Sequence, residues 1–246
     1  YVFYRYHALC VWWKLAKQED ETDIPFENER FIEKYKETFV SKIHEIEKKL
    51  KIKDAITYVG KDCSRKNIWR NKNIDDYKGG RQSCNHMKLF FDIAYNNDNI
   101  NGTETNLFTQ AGCKKVIEEN NVEADDIIAL TSKHILLKYP DAKIWIITSD
   151  MDYLQLACEN ITLMNLKFKK LTDSKACFND ANKDLFCKII TGDKSDNIPS
   201  VFPKCGIKTA EKYYNDKELF EKKLETIPNA KELYERNRMI IDFNYI

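Results

Sequence analysis

The sequence predicts an α/β fold, with a mostly parallel, Rossmann-like sheet flanked by helices. Apolar residues recur at roughly helical spacing from Ile127 to Leu136, which predicts a helix that begins near Val122. The run at residues 143–147 is apolar and rich in β-branched residues, as buried strands are. A helix that leads into a buried strand indicates a parallel sheet, because the crossovers between parallel strands are usually helical.

The other elements are predicted from the same patterns, in chain order. Within residues 28–50, apolar side chains recur at helical spacing from Phe31 onwards. We therefore expect an amphipathic helix here that packs on the sheet. The charged segment 219–238 is expected to be helical with a break near Pro228, since proline cannot continue a helix. We also expect a strand at 55–59, a helix at 106–120, a strand at 161–166 and a helix at 179–190.

Acidic side chains mark the ends of the predicted helix and strand. Glu123, Asp125 and Asp126 open the helix, where the positive end of the helix dipole favours carboxylates. Asp150 and Asp152 follow the strand two residues apart, so their side chains point to the same side of an extended chain. Ligands bind beyond the carboxyl ends of parallel strands, so both groups are expected in one crevice. Oxygen ligands alone suit hard divalent ions, Mg²⁺ or Mn²⁺.

A third acidic pair, Asp193 and Asp196, lies in the segment GDKSDNIPSV at residues 192–201. Together with VEADD at residues 122–126 and TSDMDYLQL at residues 148–156, this segment resembles the 5′-nuclease superfamily. The superfamily includes flap endonucleases, the 5′-nuclease domain of bacterial DNA polymerases and bacteriophage 5′-exonucleases, and the phage RNase H branch is the most similar. One such motif alone would be weak, since aspartate often caps helices and turns. Three motifs in the family's order are specific.

The resemblance implies a PIN-like nuclease core over residues 1–176, with a helical arch at about residues 82–109. It also implies a helix–hairpin–helix-like DNA-binding module within a C-terminal helical region at residues 177–246. The implied activity is structure-specific 5′-nuclease hydrolysis of phosphodiesters in 5′ flaps, nicked or gapped DNA duplexes and RNA–DNA hybrids, including RNA primers. Such an enzyme would act in DNA replication or repair, and the phage-like motifs suggest a virus or phage. Its replication partners cannot be read from the sequence.

The same resemblance implies two divalent ions, Mg²⁺ with Mn²⁺ as a substitute, which activate a water and stabilise the leaving oxygen. Residues 62–81 match the family's D…WR…YK..R pattern, and this makes Asp62 a candidate metal ligand. Lys78 and Arg81 are the candidate catalytic cations, because positive charge there would stabilise the phosphate that is cleaved. The other candidate metal ligands are Glu123, Asp125, Asp126, Asp150, Asp152, Asp193 and Asp196. The candidate DNA contacts are Arg5, Arg70, Lys204, Gly206 and Lys208.

One metal ligand of the family has no counterpart in this sequence. Residues 1–8 resemble the segment just after the family's first strand, which normally carries the first metal-binding aspartate. We therefore expect the sequence to begin after that strand. Asp242, in the strand-like stretch 239–246, could instead supply the ligand by permutation. The phage branch has a similar stretch at this place, so Asp242 is not expected to be a ligand.

Composition narrows the class of protein. The 246 residues include 40 basic and 39 acidic ones, so acidic site residues would hide the basic surplus that is typical of DNA-binding proteins. The eight cysteines form no CxxC pair and the four histidines are scattered, which favours reduced thiols in an intracellular protein and argues against zinc. No apolar run is long enough to cross a membrane.

Two alternative functions stay open. The missing first aspartate would fit a catalytically silent relative that binds branched DNA without cleaving it. A PIN-like ribonuclease would share the acidic, Rossmann-like site, although the segment at residues 193–210 argues against that class.

Overall fold

The computed structural model describes residues 1–22, 24–81, 85–96, 98–100 and 103–246, and these residues form an α/β fold. The longer helices are α1 (Val2–Ala16), α2 (Glu29–Leu50), α3 (Asn85–Tyr95), α5 (Ala124–Lys138), α6 (Ala181–Thr191), α7 (Ile207–Asn215), α8 (Lys217–Thr226) and α9 (Ala230–Ile241), and α4 (Leu107–Gln110) is a single turn. The strands are β1 (Tyr58–Lys61), β2 (Asp98–Ile100), β3 (Thr103–Thr105), β4 (Lys115–Glu118), β5 (Ile144–Ile147) and β6 (Ile161–Met164).

The described strands form three two-stranded sheets. β5 and β6 are parallel, with Ile144 opposite Ile161 and Ile147 opposite Met164. β2 and β3 are antiparallel, and β1 pairs with β4. The predicted α/β class and its parallel pairing are therefore confirmed, although the described strands form separate pairs instead of one continuous sheet.

The chain folds as two compact units, of which the first comprises Tyr1–Val59 and Gln82–Ile117. Its core is aromatic: Phe31, Tyr35 and Phe39 of α2 are fully buried. They lie one helical turn apart, as the sequence pattern predicted. α2 begins at Asn28, whose side chain accepts a hydrogen bond from the Phe31 amide at 3.2 Å and so satisfies one of the first free N–H groups.

The second unit comprises Gly60–Arg81 and Glu118–Ile246. Around β5 and β6, one apolar cluster includes Leu163, Tyr153 and Phe243. A second cluster joins residues of the 63–77 segment to α6 and α9 through Ile189 and Ile240. A third cluster packs α6 against α7, α8 and α9. This unit holds the predicted acidic residues, which lie after β1, at the start of α5, after β5 and after α6.

Most of the predicted elements are confirmed, with shifts of a few residues. The helix at 28–50, the strands at 143–147 and 161–166, and the break near Pro228 are present as α2, β5, β6 and the gap between α8 and α9. The strand predicted at 55–59 lies three residues later, as β1. The prediction of a helix at 106–120 is wrong. After α4 the chain turns at Gly112, which has a φ of +83°, and β4 follows.

Two sequence-based expectations, the arch and the boundary between the two predicted regions, stay predictions. Part of the predicted arch, at residues 82–84, 97 and 101–102, lies outside the described residues, and the boundary at residues 176 and 177 stays a prediction. Within the part of the chain that the structure describes, no helix is both long and apolar enough to cross a bilayer.

Candidate active site

A cleft in the second unit brings together most of the candidate residues. Its acidic lining comes from the loop after β1, the start of α5, the segment after β5 and the loop after α6. Lys78 and Arg81 line the same cleft. The acidic residues in the lining are Asp62, Glu123, Asp125, Asp150, Asp152, Asp193 and Asp196.

Glu123 lies at the base of the cleft and is only 3% exposed. Its carboxylate accepts hydrogen bonds from the Tyr77 hydroxyl at 3.0 Å and from Arg70 Nη1 at 2.9 Å. Lys78 Nζ forms a short ion pair with the same carboxylate. Three donors therefore hold one buried charge, which a carboxylate needs when it is removed from water.

Asp125 has a different environment, because its hydrogen bond comes from a neutral group. The Tyr153 hydroxyl donates to Asp125 Oδ1 at 2.6 Å. Burial, together with the negative charges of Asp150 and Asp62, raises the pKa of Asp125 to about 7, against the opposing effect of the Tyr153 hydrogen bond. Asp62 in turn accepts a hydrogen bond from the Ala124 amide at 2.8 Å, which fixes the loop after β1 to the start of α5.

Lys188 on α6 connects two of the other carboxylates. Its Nζ lies 2.6 Å from both Asp152 Oδ1 and Asp193 Oδ2. Burial raises the pKa of Asp152, and the Lys188 charge opposes this. At Asp193 burial also raises the pKa, but hydrogen bonds from Lys188 and Ser195 outweigh it and lower that pKa to about 2.

Asp196 is buried on the opposite side of this loop and is paired with cations from the 77–81 segment. Arg81 forms a short ion pair with its Oδ1, and Lys78 Nζ lies 3.8 Å from its Oδ2. The Tyr77 hydroxyl lies 3.4 Å from the same Oδ2. Lys78 thus stands between Glu123 and Asp196, whereas Arg81 leaves 51% of its side chain exposed.

Arg70 lines the cleft and pairs with Asp126, which does not line it. Arg70 donates from Nη1 and Nη2 to the two oxygens of Asp126, at 2.8 and 2.6 Å, and its Nε donates to the Ile240 carbonyl at 2.9 Å. The Trp69 indole donates to Asp126 at 3.1 Å. Asp126 is fully buried and does not line the cleft. The metal-binding role of Asp126 and the DNA contact of Arg70 stay predictions that these buried ion pairs do not favour.

The remaining candidate DNA contacts lie elsewhere. Lys204, Gly206 and Lys208 are exposed at the beginning of α7 in the second unit. Arg5 lies on α1 of the first unit and is half-buried. Asp242 is buried and accepts hydrogen bonds from the main chain and side chain of Asn244, at 2.9 and 2.8 Å, as a structural residue would.

Three polar residues of this site were missed as candidates by the sequence reasoning: Tyr77, Tyr153 and Lys188. Tyr77 and Tyr153 stand beside predicted residues in the sequence, but a tyrosine in an apolar pattern is usually assigned to the core. Lys188 lies in the last turn of α6, ahead of the acidic loop. Its position within one helical turn of an acidic segment is a signal that could have identified it.

The chemistry of the cleft fits a divalent cation. Among the ion pairs of the described residues, none includes Asp62, Asp125 or Asp150. The negative charges of Asp62 and Asp150 nevertheless repel that of Asp125. Such mutual repulsion is relieved by a cation, and oxygen-only ligands select hard ions such as Mg²⁺ or Mn²⁺. In the described ranges no three acidic, histidine or cysteine side chains surround one point closely enough to coordinate an ion as they stand.

Comparison with known proteins identifies relatives of the chain. The family model described as the 5′-3′ exonuclease, N-terminal resolvase-like domain matches residues 26–182. A 5′-3′ exonuclease of Buchnera aphidicola (subsp. Schizaphis graminum) is 30% identical over 184 residues, which are 69% of this chain and 58% of that protein. Ribonuclease H of Enterobacteria phage T4 is 31% identical over 147 residues, which are 53% of this chain and 46% of the phage protein. The chain thus spans about half the length of these relatives.

Solved structures show the same fold. Bacteriophage T5 5′-exonuclease with bound divalent zinc ions aligns with a TM-score of 0.63 and 20% identity, over 85% of this chain and 81% of that one. The T5 flap endonuclease in a pseudo-enzyme–product complex with DNA and metal ions aligns with a TM-score of 0.60 and 20% identity, over the same shares of the two chains.

Proposed function

Because the chain belongs to the family of the 5′-3′ exonuclease N-terminal resolvase-like domain, we propose that it is a divalent-metal-dependent, structure-specific 5′-nuclease. The observation that carries the proposal is the cleft in which seven carboxylates meet Lys78 and Arg81. Acidic oxygens that hold cations, beside basic side chains that attract phosphate, are what phosphodiester hydrolysis requires. The relatives named for exonuclease, ribonuclease and flap endonuclease activity support this choice.

We propose Asp62, Asp125 and Asp150 as ligands of one ion, because they have no cationic side-chain partner among the described residues. Glu123 is a further ligand of this ion. Asp152, Asp193 and Asp196 would hold a second ion, in place of the Lys188 and Arg81 contacts that they make. When bound, Mg²⁺ or Mn²⁺ supplies an activated water and neutralises charge on the phosphate.

Lys78 and Arg81 orient the phosphate in this proposal. Lys78 bridges two carboxylates and can exchange one of them for a phosphoryl oxygen without leaving the cleft. Arg81 is half-exposed and presents a planar guanidinium, which suits two oxygens of one phosphate. The buried Tyr77 hydroxyl holds Glu123 beneath them, so the cations and the acidic groups keep a fixed spacing.

The beginning of α7 is proposed as a contact for the duplex. Gly206 caps this helix without a side-chain hydrogen bond, so the first amides of α7 are available to a phosphate oxygen. Lys204 and Lys208 add positive charge on either side. In this proposal α6, the loop that follows it and α7 act as the helix–hairpin–helix-like module.

The proposed substrates are DNA with a 5′ flap, nick or gap, and RNA–DNA hybrids such as RNA primers. The name of the phage ribonuclease relative supports the hybrid, and the DNA complex of the T5 relative supports the branched duplex. Passage of a 5′ strand beneath an arch at about residues 82–109 and a DNA contact by Arg5 belong to the same proposal.

Asp150→Asn tests the proposal directly. The substitution removes one charge from the carboxylates that lack a cationic partner and keeps the size of the side chain. We expect the cleavage rate of a 5′-labelled flap in Mg²⁺ to fall at least about a hundredfold, since metal-assisted stabilisation of several kcal/mol is lost and each 1.4 kcal/mol is a factor of ten. DNA affinity, measured by fluorescence anisotropy in Ca²⁺, should change little.

Asp141→Asn is the matched control, because Asp141 is exposed in the turn before β5 and does not line the cleft. It should cleave like the unmodified chain. A chain that binds the flap tightly but never cleaves it in Mg²⁺ or Mn²⁺ would instead be a silent branched-DNA-binding relative. Cleavage of single-stranded RNA alone would indicate a PIN-like ribonuclease.

A further inference from the structure

The Tyr153 side chain stands between the apolar core and the acidic cleft. It is 4% exposed and lies in the short 3₁₀ segment Met151–Leu156, directly after Asp150. Its ring packs in the cluster around β5 and β6, with the Phe243 ring centroid 5.9 Å away. A ring held in this way has little freedom, so its hydroxyl oxygen has a fixed position.

That hydroxyl donates a hydrogen bond to Asp125 Oδ1 at 2.6 Å. This distance is typical of a hydroxyl that donates to a charged carboxylate. The bond joins two separate parts of the acidic cleft, because Tyr153 belongs to the segment after β5 and Asp125 to the first turn of α5. The carboxylates after β5 and those at the start of α5 are thereby held at a fixed distance from each other.

Asp125 has no cationic side-chain partner among the described residues, which distinguishes it from Glu123, Asp152 and Asp193. Glu123 is paired with Lys78, and Asp152 and Asp193 share Lys188, so a cation offsets part of the negative charge at each place. At Asp125 the phenol orients the carboxylate but leaves its negative charge in place. Within the described part of the chain no other side chain donates to Asp125, so electron-pair sites on its oxygens are open to a ligand.

We propose that Tyr153 is a positioning residue that sets the orientation of Asp125 for a divalent cation. The inference rests on the proposed function, in which Asp125 is a metal ligand. A carboxylate that is already oriented loses less rotational freedom when it coordinates an ion. Residues that hydrogen-bond to metal ligands typically affect metal affinity by about 10- to 100-fold.

Tyr153→Phe tests this role, because it removes only the hydroxyl oxygen and keeps the ring in its packing. Mn²⁺ binding to the DNA-free protein is measured from the electron paramagnetic resonance signal of free Mn²⁺. We expect the affinity to fall about 10- to 100-fold. The Mg²⁺ concentration for half-maximal flap cleavage should rise in parallel, whereas the rate at saturating Mg²⁺ recovers most of its original value. A purely structural residue would not give this pattern.

Tyr213→Phe is the matched control, since Tyr213 is also a buried tyrosine of the second unit but belongs to the apolar cluster of α6, α7, α8 and α9. It should bind Mn²⁺ like the unmodified chain. Asp125→Asn should weaken Mn²⁺ binding at least as much as Tyr153→Phe. Because the phenol acts through that carboxylate, adding Tyr153→Phe to Asp125→Asn should change the affinity no further.

The outcomes separate this inference from the proposed function. If Asp125→Asn weakens Mn²⁺ binding but Tyr153→Phe does not, the role of Tyr153 is overturned and the metal site stands. The role would also be overturned if Tyr153→Phe lowered the Mn²⁺ affinity of the Asp125→Asn variant as much as it lowers that of the unmodified chain. The tyrosine would then act independently of Asp125. If the unmodified chain binds no Mn²⁺, the proposed function fails and the role of Tyr153 fails with it.

Discussion

Gly192 ends α6 and turns the chain towards the cleft. Its φ of +68° lies in the region that L side chains rarely adopt. A Cβ at this position would lie 2.4 Å from the Ile198 carbonyl oxygen and 2.6 Å from that of Pro199, both of which are main-chain atoms. The turn is closed by two hydrogen bonds between the main chains of Asp193 and Ile198, at 2.9 and 2.8 Å. The position of Asp193 therefore depends on a glycine before it.

Gly192→Ala should be strongly destabilising for this reason. We expect the free energy of unfolding to fall by about 2–3 kcal/mol, from backbone strain and from the contact with main-chain oxygens. Urea denaturation measures the change. Gly80→Ala is the control, because a Cβ there meets nothing within 4 Å, and its effect should stay within about 0.5 kcal/mol. Equal midpoints for the two variants would show that the turn adapts to a side chain.

At the same scale, the sequence predicted which carboxylates meet but not what they contact. Acidic residues at the ends of strands and helices converge by the geometry of the fold, so Asp150 and Asp193 could be predicted from their positions. The partner of Asp125 could not be predicted, because the contact of Tyr153 depends on the direction of its side chain. Arg70 shows the limit most clearly: a basic residue beside a tryptophan suggested a DNA contact, yet its guanidinium pairs with a fully buried Asp126.

At the scale of elements, α9 is fixed to α6 and to the loop of the acidic pair by one side chain. Asn237 is fully buried, and its Nδ2 donates to the Ile189 carbonyl at 3.1 Å and to the Pro199 carbonyl at 2.7 Å. The main chain of Pro199 lies against Gly192. The Asn237 side-chain amide therefore supports the same turn that positions Asp193. An amide is needed because two main-chain oxygens would otherwise be buried without a donor.

Asn237→Leu should therefore weaken the second unit. The substitution keeps a similar volume but leaves both carbonyl oxygens unpaired, and we expect a loss of about 2–3 kcal/mol in the free energy of unfolding. Asn182→Leu is the control, since Asn182 is exposed in the first turn of α6. Both are compared by urea denaturation. If the Asn237 variant unfolds at the same urea concentration as the control, the two bonds do not anchor α9.

Elements were predictable where the pattern was long and not where neighbouring strands decided the outcome. α2 repeats its apolar face over 22 residues, so its period is clear. β4 has only four residues, Lys115–Glu118, and lies in a stretch that could equally suit a helix. Its pairing with β1 determines the strand, and pairing between distant segments is not a property of the local sequence.

At the scale of the whole molecule, the second unit carries an arrangement of charge that is unfavourable for folding by itself. Lys78, Arg81 and Lys188 compensate some of the carboxylates in the cleft. Burial, and after it the negative charges of Asp150 and Asp62, raise the pKa of Asp125, so the charged form of this carboxyl is unfavourable. Functional sites commonly hold such strain, and the rest of the fold offsets it. A bound cation would reverse this cost.

Asp125→Asn should consequently have opposite effects on stability with and without metal. In EDTA the variant should be more stable than the unmodified chain, because a repelled and partly buried charge is gone. We expect the free energy of unfolding to rise by about 1 kcal/mol, which corresponds to less than one pKa unit. With Mg²⁺ at a hundredfold excess over its Kd, the unmodified chain should gain about 2.7 kcal/mol, and the variant much less. The order of the two melting temperatures should therefore invert when Mg²⁺ is added.

Asp141→Asn, at an exposed position outside the cleft, is the control and should follow the unmodified chain in both buffers. Melting temperatures by circular dichroism are sufficient, and no substrate is needed. If the Asp125 variant is the less stable one even in EDTA, its carboxylate stabilises the fold through the Tyr153 bond more than it is repelled. Asp125 would then be a structural residue, since a ligand in a site built for a divalent cation should relieve the fold when its charge is removed.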